Sequence, residues 1–365
     1  MKVLMINSVC GVGSTGRICT DIAQNLEKEG HICKIAYGRG IVPEKFQKYA
    51  IKIGSSLGVN THAALSRVFD SAGLHSKFAT KKFLKWAEEF NPDVLHLHNI
   101  HGYYIHIGLL FQWIKSRPNM QVKWTLHDCW AFTGHCAYFT MANCNRWKNV
   151  CMQCPQKKKY PSSLLFSRAK QNFLYKQKAF TGVQNMRLIT PSKWLADLVG
   201  ESFLKEYPIE VQYNTIDTNV FKPTESDFKK RYGLQDKKIV LGVASVWDER
   251  KGLADFYKLA SMLDERYVIV LVGLTQKQIA GLLPNMVGIQ KTSSPRELAE
   301  IYTAADVFVN TSKEETFGLT TIEAQACGTK AIVYKDTACE EIVQTFGGIA
   351  VEQNIERIFE AIINV

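Results

Sequence analysis

Glu315 and Glu323 stand eight residues apart in EETFGLTTIEAQACGT (314–329), with Phe317-Gly318-Leu319-Thr320 between them. The first acid precedes what reads as a helix start, and the second lies about one turn inside. Exposed N–H groups and the helix dipole at such a start favour phosphate oxygens. Glu323 can then accept from ribose hydroxyls while Glu315 faces a sugar. Upstream, SVWDERKGL (245–253) offers Arg250 and Lys251 where a strand should end, well placed to neutralise a diphosphate leaving group. Each motif has a plain alternative: a helix with acids at its favourable end, and a surface Arg-Lys pair.

A second phosphate signal opens the chain. Gly11, Gly13 and Gly16 in GVGSTGR (11–17) follow a strand-like run and precede a helical one, the spacing that lets backbone amides approach a phosphate. The acid that would grip a ribose in a dinucleotide site is missing from Ala36-Tyr37-Gly38-Arg39, which argues against a dehydrogenase. An anion cradle with Arg17 adding charge, or a tight turn without a ligand, remains. Two histidine-bearing stretches, HLHNIHGYY (96–104) and LHDCWAFTGH (126–135), follow later strands. His96 falls within an alternating strand and reads as a satisfied core residue. His98, Asn99 and His101 are placed to hold sugar hydroxyls, and in His127-Asp128 an acid can fix the tautomer of its neighbour. A histidine metal site is the lesser alternative.

Ten cysteines in a chain read as cytoplasmic should be reduced. Cys136, Cys144, Cys151 and Cys154 stand close together, the last two as Cys-x-x-Cys. Four thiolates would fill a tetrahedral zinc shell, stapling a loop and leaving no open coordination position; unliganded thiols are the other reading. Cys10, Cys19, Cys33, Cys129, Cys327 and Cys339 read as small core or loop residues.

The elements that must position these groups alternate in type. Strand-like runs at 3–6, 32–37, 93–98 and 122–127 form one set, and those at 238–244, 267–273, 287–290, 306–310 and 330–334 another. Helical patterns between them argue for parallel sheets wound on both faces, in which ligands bind beyond the carboxyl ends of the strands. At 365 residues two domains are expected: 1–190 with a Cys-rich insertion at 129–160, then 191–350, then a terminal helix at 351–365. Residues 1–200 carry 27 Lys and Arg against 10 Asp and Glu, a net of +17, whereas residues 201–365 carry a net of −6. A basic first half suits an anionic ligand or surface. The stretch 74–90, with Phe78 and Trp86 beside four lysines, reads either as a membrane-surface helix or as a core-facing helix with a solvated face. No run reaches the ~18 apolar residues of a spanning helix, and the start lacks a signal peptide's layout. A cytoplasmic protein, peripheral at the inner face of the membrane, is the expectation.

Taken together, Glu315-x7-Glu323 with its Phe-Gly, the Lys251-Gly loop, Glu341-Ile-Val, NPDVLHLHNIHGYYI, WTLHDCWAFTGHC, the Cys-rich segment ending in CP, TPSKWLA and NTID resemble the retaining GT-B glycosyltransferases of glycosyltransferase group 1, family 4. The resemblance is to the branch that builds bacterial capsular, colanic-acid-type and other exopolysaccharides. It implies two Rossmann-like doubly wound domains facing across a deep cleft. It further implies retaining hexosyl transfer from a UDP- or GDP-linked sugar to a glycan or lipid-linked saccharide. Arg250 and Lys251 would neutralise the diphosphate, amides from Phe317 and Gly318 to Leu319 and Thr320 would support it, and Glu323 would hold the ribose. Glu315 would contact the donor sugar, His127 would lie near its reacting face, and Gly13 and Gly16 would bring backbone close to phosphates or acceptor. No catalytic metal and no nucleic acid is expected. Val246 stands where the family usually carries an arginine. The rival from another class is a zinc-containing nucleic-acid-binding protein built on the cysteine cluster and Lys157-Lys158-Lys159.

Overall fold

The computed structural model describes Met1–Val365, which divides into two compact units, Met1–Gln212 and Tyr213–Val365. In the first, the chain runs β1 (Lys2–Asn7), α1 (Gly13–Lys28), β2 (Ile32–Tyr37), β3 (Ala50–Lys52), α2 (Ser56–Phe69), α3 (Lys77–Phe90) and β4 (Val94–Leu97). It continues through α4 (Ile107–Lys115), β5 (Gln121–Thr125), α5 (Ala169–Phe180), β6 (Met186–Thr190), α6 (Lys193–Gly200) and β7 (Ile209–Val211). The second unit opens with α7 (Phe228–Arg231), β8 (Lys238–Val243), α8 (Leu253–Met262), β9 (Tyr267–Val272), α9 (Gln276–Ile279) and β10 (Met286–Ile289). Then follow α10 (Pro295–Ala304), β11 (Val307–Asn310), α11 (Leu319–Ala326), β12 (Ala331–Tyr334), α12 (Ala338–Phe346), β13 (Ile349–Val351) and α13 (Ile355–Ile363).

The sheets are ordered β3-β2-β1-β4-β5-β6-β7 and β10-β9-β8-β11-β12-β13, with parallel pairing throughout. Both therefore reverse direction beside their first strand, the doubly wound arrangement. Parallel sheets covered on both faces need strands that are apolar on both sides. KVLMIN in β1 and YVIVLV in β9 meet that demand, being buried over nearly their whole length. The short strands AIK, IEV and IAV sit at sheet edges with little burial. They escape a reading based on apolar runs for that reason.

The first unit ends later than residue 190. Strand β6 pairs with β5 and β7 pairs with β6 (Leu188 opposite Ile209), so α6 and β7 complete the first sheet. The terminal helix is also no separate appendage. Ile355, Ile358 and Ile362 are buried in the second unit's core beside α8 and strands β12 and β13, one apolar face at helical spacing. Asn354 caps the helix by accepting from the Glu356 amide at 2.8 Å.

The Cys-rich segment folds around Phe132, Phe139 and Trp147, whose rings lie 4.8–6.2 Å apart. Two buried polar anchors fasten it. Lys176 on α5 donates to the carbonyls of Trp130 and Thr133 (2.7 and 3.1 Å), and burial pushes its amine down to about 7. Asp70 pairs with His135 Nδ1 at 2.5 Å. If α13 belongs to the second core, Ile358→Ala will lower unfolding free energy by about 2–5 kcal/mol in urea titrations. A change within about 0.5 kcal/mol would be that of a surface site and would detach the helix from the core.

Candidate functional site

The motifs gather where strand order reverses. In the second unit β8 and β11 are neighbours (Val240 opposite Val307, Leu241 opposite Phe308), so the loops leaving them run side by side. The Thr311 hydroxyl donates to the carbonyls of Lys251 (3.0 Å) and Gly252 (3.2 Å). The Lys313 amide donates to the Arg250 carbonyl at 2.9 Å, and Arg250 Nη1 donates to the Glu314 carbonyl at 2.8 Å. Lys251 Nζ pairs directly with Glu315 Oε2. Gly252 has φ +72, and a Cβ there would lie 2.4 Å from the Thr311 carbonyl oxygen. The glycine after Lys251 is thus required by both conformation and close approach.

Burial opposes ionisation of Glu315, but Lys251 and Arg250 outweigh it and hold the carboxyl below its ordinary range. Val246, in the place of the family's usual arginine, is 65% exposed. Beyond Glu315, Phe317 is buried with its ring 6.0 Å from that of Tyr213. Gly318 adopts φ +88 as the residue before α11, with Cys339 Sγ 2.5 Å from where a Cβ would sit. No side chain caps α11 and no acid occupies its first turn, so the Leu319–Thr320 end keeps the positive pole of the helix. Glu323, one turn in, is buried and accepts from the Tyr302 hydroxyl at 3.1 Å. Thr311 and Tyr302, which fasten this site, were not singled out from sequence, since their partners lie tens of residues away.

The first unit repeats the arrangement at β1 and β4, where Ile6 lies opposite Leu97. Asn7 spans the reversal: its Nδ2 donates to the Val9 carbonyl (2.8 Å) and Thr15 Oγ1 (3.3 Å), and its Oδ1 accepts the Asn99 amide (3.2 Å). Gly11 and Gly13 have φ +70 and +64, while at Gly16 a Cβ would press within 3.0 Å of Val9. Helix α1 begins at Gly13 without a side-chain cap or an early acid, and Arg17 is exposed just past its first turn. Arg39, passed over in a search for acids, stands beside this loop. Its amide donates to the Ser8 carbonyl at 2.9 Å, and its buried Nε has no hydrogen-bond partner.

The histidines pair differently from the sequence reading. Asp128 serves His101, with Oδ2 2.8 Å from Nε2, and Oδ1 accepts the Trp130 amide at 2.9 Å. The adjacent His127 instead places Nε2 3.0 Å from His98 Nδ1, because successive residues leaving β5 point to different sides. His98 follows β4 directly, as expected, but is fully covered. His96 is a satisfied core residue, bonded to Thr125 Oγ1 at 2.8 Å. Burial pushes His127 down to about 4 and His96 to about 3, and holds His98 well below its ordinary value. Neutral His127 is an uncharged hydrogen-bonding group near pH 7.

Cys136, Cys144, Cys151 and Cys154 line one small cavity together with His135. All ten cysteines are free thiols, and no group of three or more His, Cys, Asp or Glu is gathered as a ready metal site. The Gly134 amide donates to Cys151 Sγ at 3.2 Å. His135 Nε2 is buried with no hydrogen-bond partner.

Two parallel-sheet Rossmann-like units with phosphate-type loops at both reversals define a GT-B glycosyltransferase architecture. Residues 15–220 match the family described as Glycosyltransferase Family 4 and residues 224–365 match Glycosyl transferases group 1; the chain belongs to this family. It is 23% identical over 368 residues to WcaC of Escherichia coli (strain K12), provisionally named as a colanic acid biosynthesis glycosyl transferase, covering 97% of this chain and 88% of that one. Over 150 residues, 40% of this chain and 36% of the other, it is 32% identical to the N,N'-diacetylbacillosaminyl-diphospho-undecaprenol alpha-1,3-N-acetylgalactosaminyltransferase of Campylobacter jejuni. Among solved structures, sucrose-phosphate synthase from Thermosynechococcus elongatus superposes with a TM-score of 0.73 at 16% identity, covering 100% of this chain and 89% of that one. Anabaena HepE in complex with UDP and glucose gives 0.67 at 16% identity with the same coverages.

Buried neutral histidines make stability depend on pH with a definite sign. His62, His96 and His127 fall from an ordinary 6.5 to about 3, 3 and 4 respectively. The unfolded chain therefore binds more protons below pH 6.5, and stability is lost as pH falls through that window toward the folded values. The urea midpoint should be lower at pH 5 than at pH 7.5; equal midpoints would mean that these imidazoles are not buried in neutral form.

Proposed function

We propose that the protein transfers a hexose from a UDP- or GDP-linked sugar to a glycan or lipid-linked saccharide, with retention of configuration, in exopolysaccharide or capsule assembly. The observation that carries this reading is the joining of the Arg250-Lys251 loop to Glu315 and the uncapped start of α11. There the donor diphosphate meets two cations and helix amides. An ammonium has three donors, so Lys251 can keep Glu315 and still reach a phosphate oxygen. Glu323 retains acceptor capacity for ribose hydroxyls beside its bond from Tyr302. Gly13, Gly16 and Arg39 form a second anion-favouring loop, assigned to phosphates or acceptor. His127, neutral near pH 7, is assigned to a donor-sugar hydroxyl.

In the step itself the bond from the anomeric carbon to the diphosphate oxygen breaks and the acceptor hydroxyl oxygen bonds to that carbon on the same face. The hydroxyl proton passes to the departing diphosphate oxygen. Charge growing on the leaving group is what Arg250, Lys251 and the α11 amides stabilise; the reading assigns no step to a catalytic metal. The likeness to WcaC favours polysaccharide assembly, and the named acceptor of the Campylobacter relative favours a lipid-linked saccharide. No helix is long and apolar enough to cross a membrane; the lipid-linked acceptor named for the Campylobacter relative supports assigning the protein a peripheral place at the cytoplasmic face. Neither family match favours a zinc-containing nucleic-acid-binding protein.

In thermal-shift titrations at least one UDP- or GDP-sugar should raise the melting temperature. Lys251→Ala and Glu323→Ala should each weaken that donor about tenfold or more, the scale of one lost charge-assisted contact. No shift with any sugar nucleotide would overturn the assignment.

A structural zinc in the cysteine cluster accompanies this reading. It is supported by four thiols around one cavity and by the buried, unpartnered Nε2 of His135, whose Nδ1 is fixed by Asp70, as in metal sites with a carboxylate behind the histidine. Elemental analysis of the purified protein should find about one zinc per chain, a single four-ligand shell, lost in a Cys151→Ser/Cys154→Ser variant. Metal-free wild-type protein that folds and melts normally would remove zinc from the assignment.

A further inference from the structure

A cavity of about 970 Å³ opens in the first unit between the end of β3, helix α2 and helix α3. Its walls are mainly carbon: Ile51, Val59, Leu65, Leu74, Phe83 and Trp86. Polar side chains in its wall are turned to internal partners. His62 accepts the Gly73 amide at 3.2 Å and meets Ser76 Oγ at 2.8 Å, and His75 meets Ser71 Oγ at 2.7 Å. Leu57 and Phe78, both lining residues, are nonetheless 77% and 84% exposed.

Charge around this cavity has one sign. Lys52, Lys77 and Lys82 line it and no Asp or Glu does. Between Tyr49 and Ala87 the one acid is Asp70, whose oxygens are taken by His135 and the Arg168 amide. Further exposed apolar side chains stand at the end of α2. Phe69, at the end of α2, stacks on Phe166 at 6.0 Å, beside exposed Leu164 and Leu165. That loop is bonded to α2 through the Leu164 amide and the Arg67 carbonyl, 2.7 Å apart. A core-facing helix with a solvated outer side does not explain large exposed apolar side chains around a cavity of this size. Volumes of this order and such lining are those of small-molecule sites, and an apolar slot with lysines beside it matches a long hydrocarbon chain bearing an anionic head.

We propose that this cavity takes the hydrocarbon tail of the lipid-linked acceptor, with Lys52, Lys77 and Lys82 facing its phosphate or diphosphate. The inference rests on the glycosyltransferase reading and specifies its acceptor as a long-chain lipid phosphate rather than a free sugar. A lipid anchored here would bring its saccharide to the enzyme in the plane of the membrane, while the donor arrives from water.

The full chain can be tested with farnesyl diphosphate, a short soluble polyprenyl diphosphate, by isothermal titration. Binding is expected, and Leu57→Asp/Phe78→Asp should weaken it at least tenfold. Both positions are exposed, so folding should survive, as an unchanged melting temperature would verify. Lys77→Ala/Lys82→Ala should weaken it about threefold to tenfold and make it less sensitive to salt. Lys251→Ala should leave it unchanged. Displacement by inorganic diphosphate at equal affinity, or retention of affinity in the Asp variant, would overturn the proposal. So would binding to phosphatidylglycerol vesicles with none to farnesyl diphosphate, which would make this a general membrane surface. Loss of the donor reading has a separate signature, the absence of any sugar-nucleotide thermal shift while farnesyl diphosphate still binds.

Discussion

Parallel strands leave their carboxyl ends on one edge of a sheet, and at the point where strand order turns back two loops from distant sequence must lie together. Both sheets of this protein obey that constraint. Between β8 and β11 it joins Arg250, Lys251 and Gly252 to residues 311–315 through four hydrogen bonds and an ion pair. Between β1 and β4 it lets one side chain, Asn7, hold both the glycine loop and Asn99. The proposed site lies where the ladder leaves open backbone, and the ladder itself is a buried apolar framework that tolerates little else.

Charge is handled by different means in the two units. The second keeps a carboxylate ionised among cations, since the attraction of Lys251 and Arg250 exceeds the desolvation of Glu315. A buried pair of this kind is weak evidence for stability; its use is to hold a cation at a fixed place. The first unit buries imidazoles without charge, so that burial, the largest cause, together with neighbouring basic groups drives His96, His98 and His127 down. It thereby builds polar but neutral walls near the strand ends. The cavity between α2 and α3 follows the same economy of form, with its histidines bonded inward and its lysines outside.

Much of this was legible in the residues. Nine strands announce themselves as β-branched runs because central strands are apolar on both faces, and the phosphate-type loops carry glycines whose positive φ is now explained at Gly11, Gly13, Gly252 and Gly318. Four strands stayed hidden, β3, β6, β7 and β13, and with β6 and β7 the end of the first unit: the three edge strands because three residues against one neighbour need no distinctive pattern, and the internal β6 because exposed Arg187 interrupts the short apolar run of MRLIT. The partner of Asp128 was misjudged for a related reason: adjacency in sequence says little about which side of a strand end a side chain takes, and the carboxylate found His101 instead. Arg39 was weighed only as the absence of an acid, although it is a cation beside the glycine loop.

Sequence alone determined the fold class and the chemical types available at each strand end, because alternation of apolar runs with helices and glycines at fixed offsets are local properties of the chain; the family was legible through the resemblance of its combined motifs. Tertiary structure decided which of those groups meet. The pairing of Lys251 with Glu315, of Glu323 with Tyr302 and of His127 with His98 each links residues at least 21 positions apart. Such pairings are set by sheet order and by the exclusion of water around buried charge, neither of which any short stretch of sequence contains.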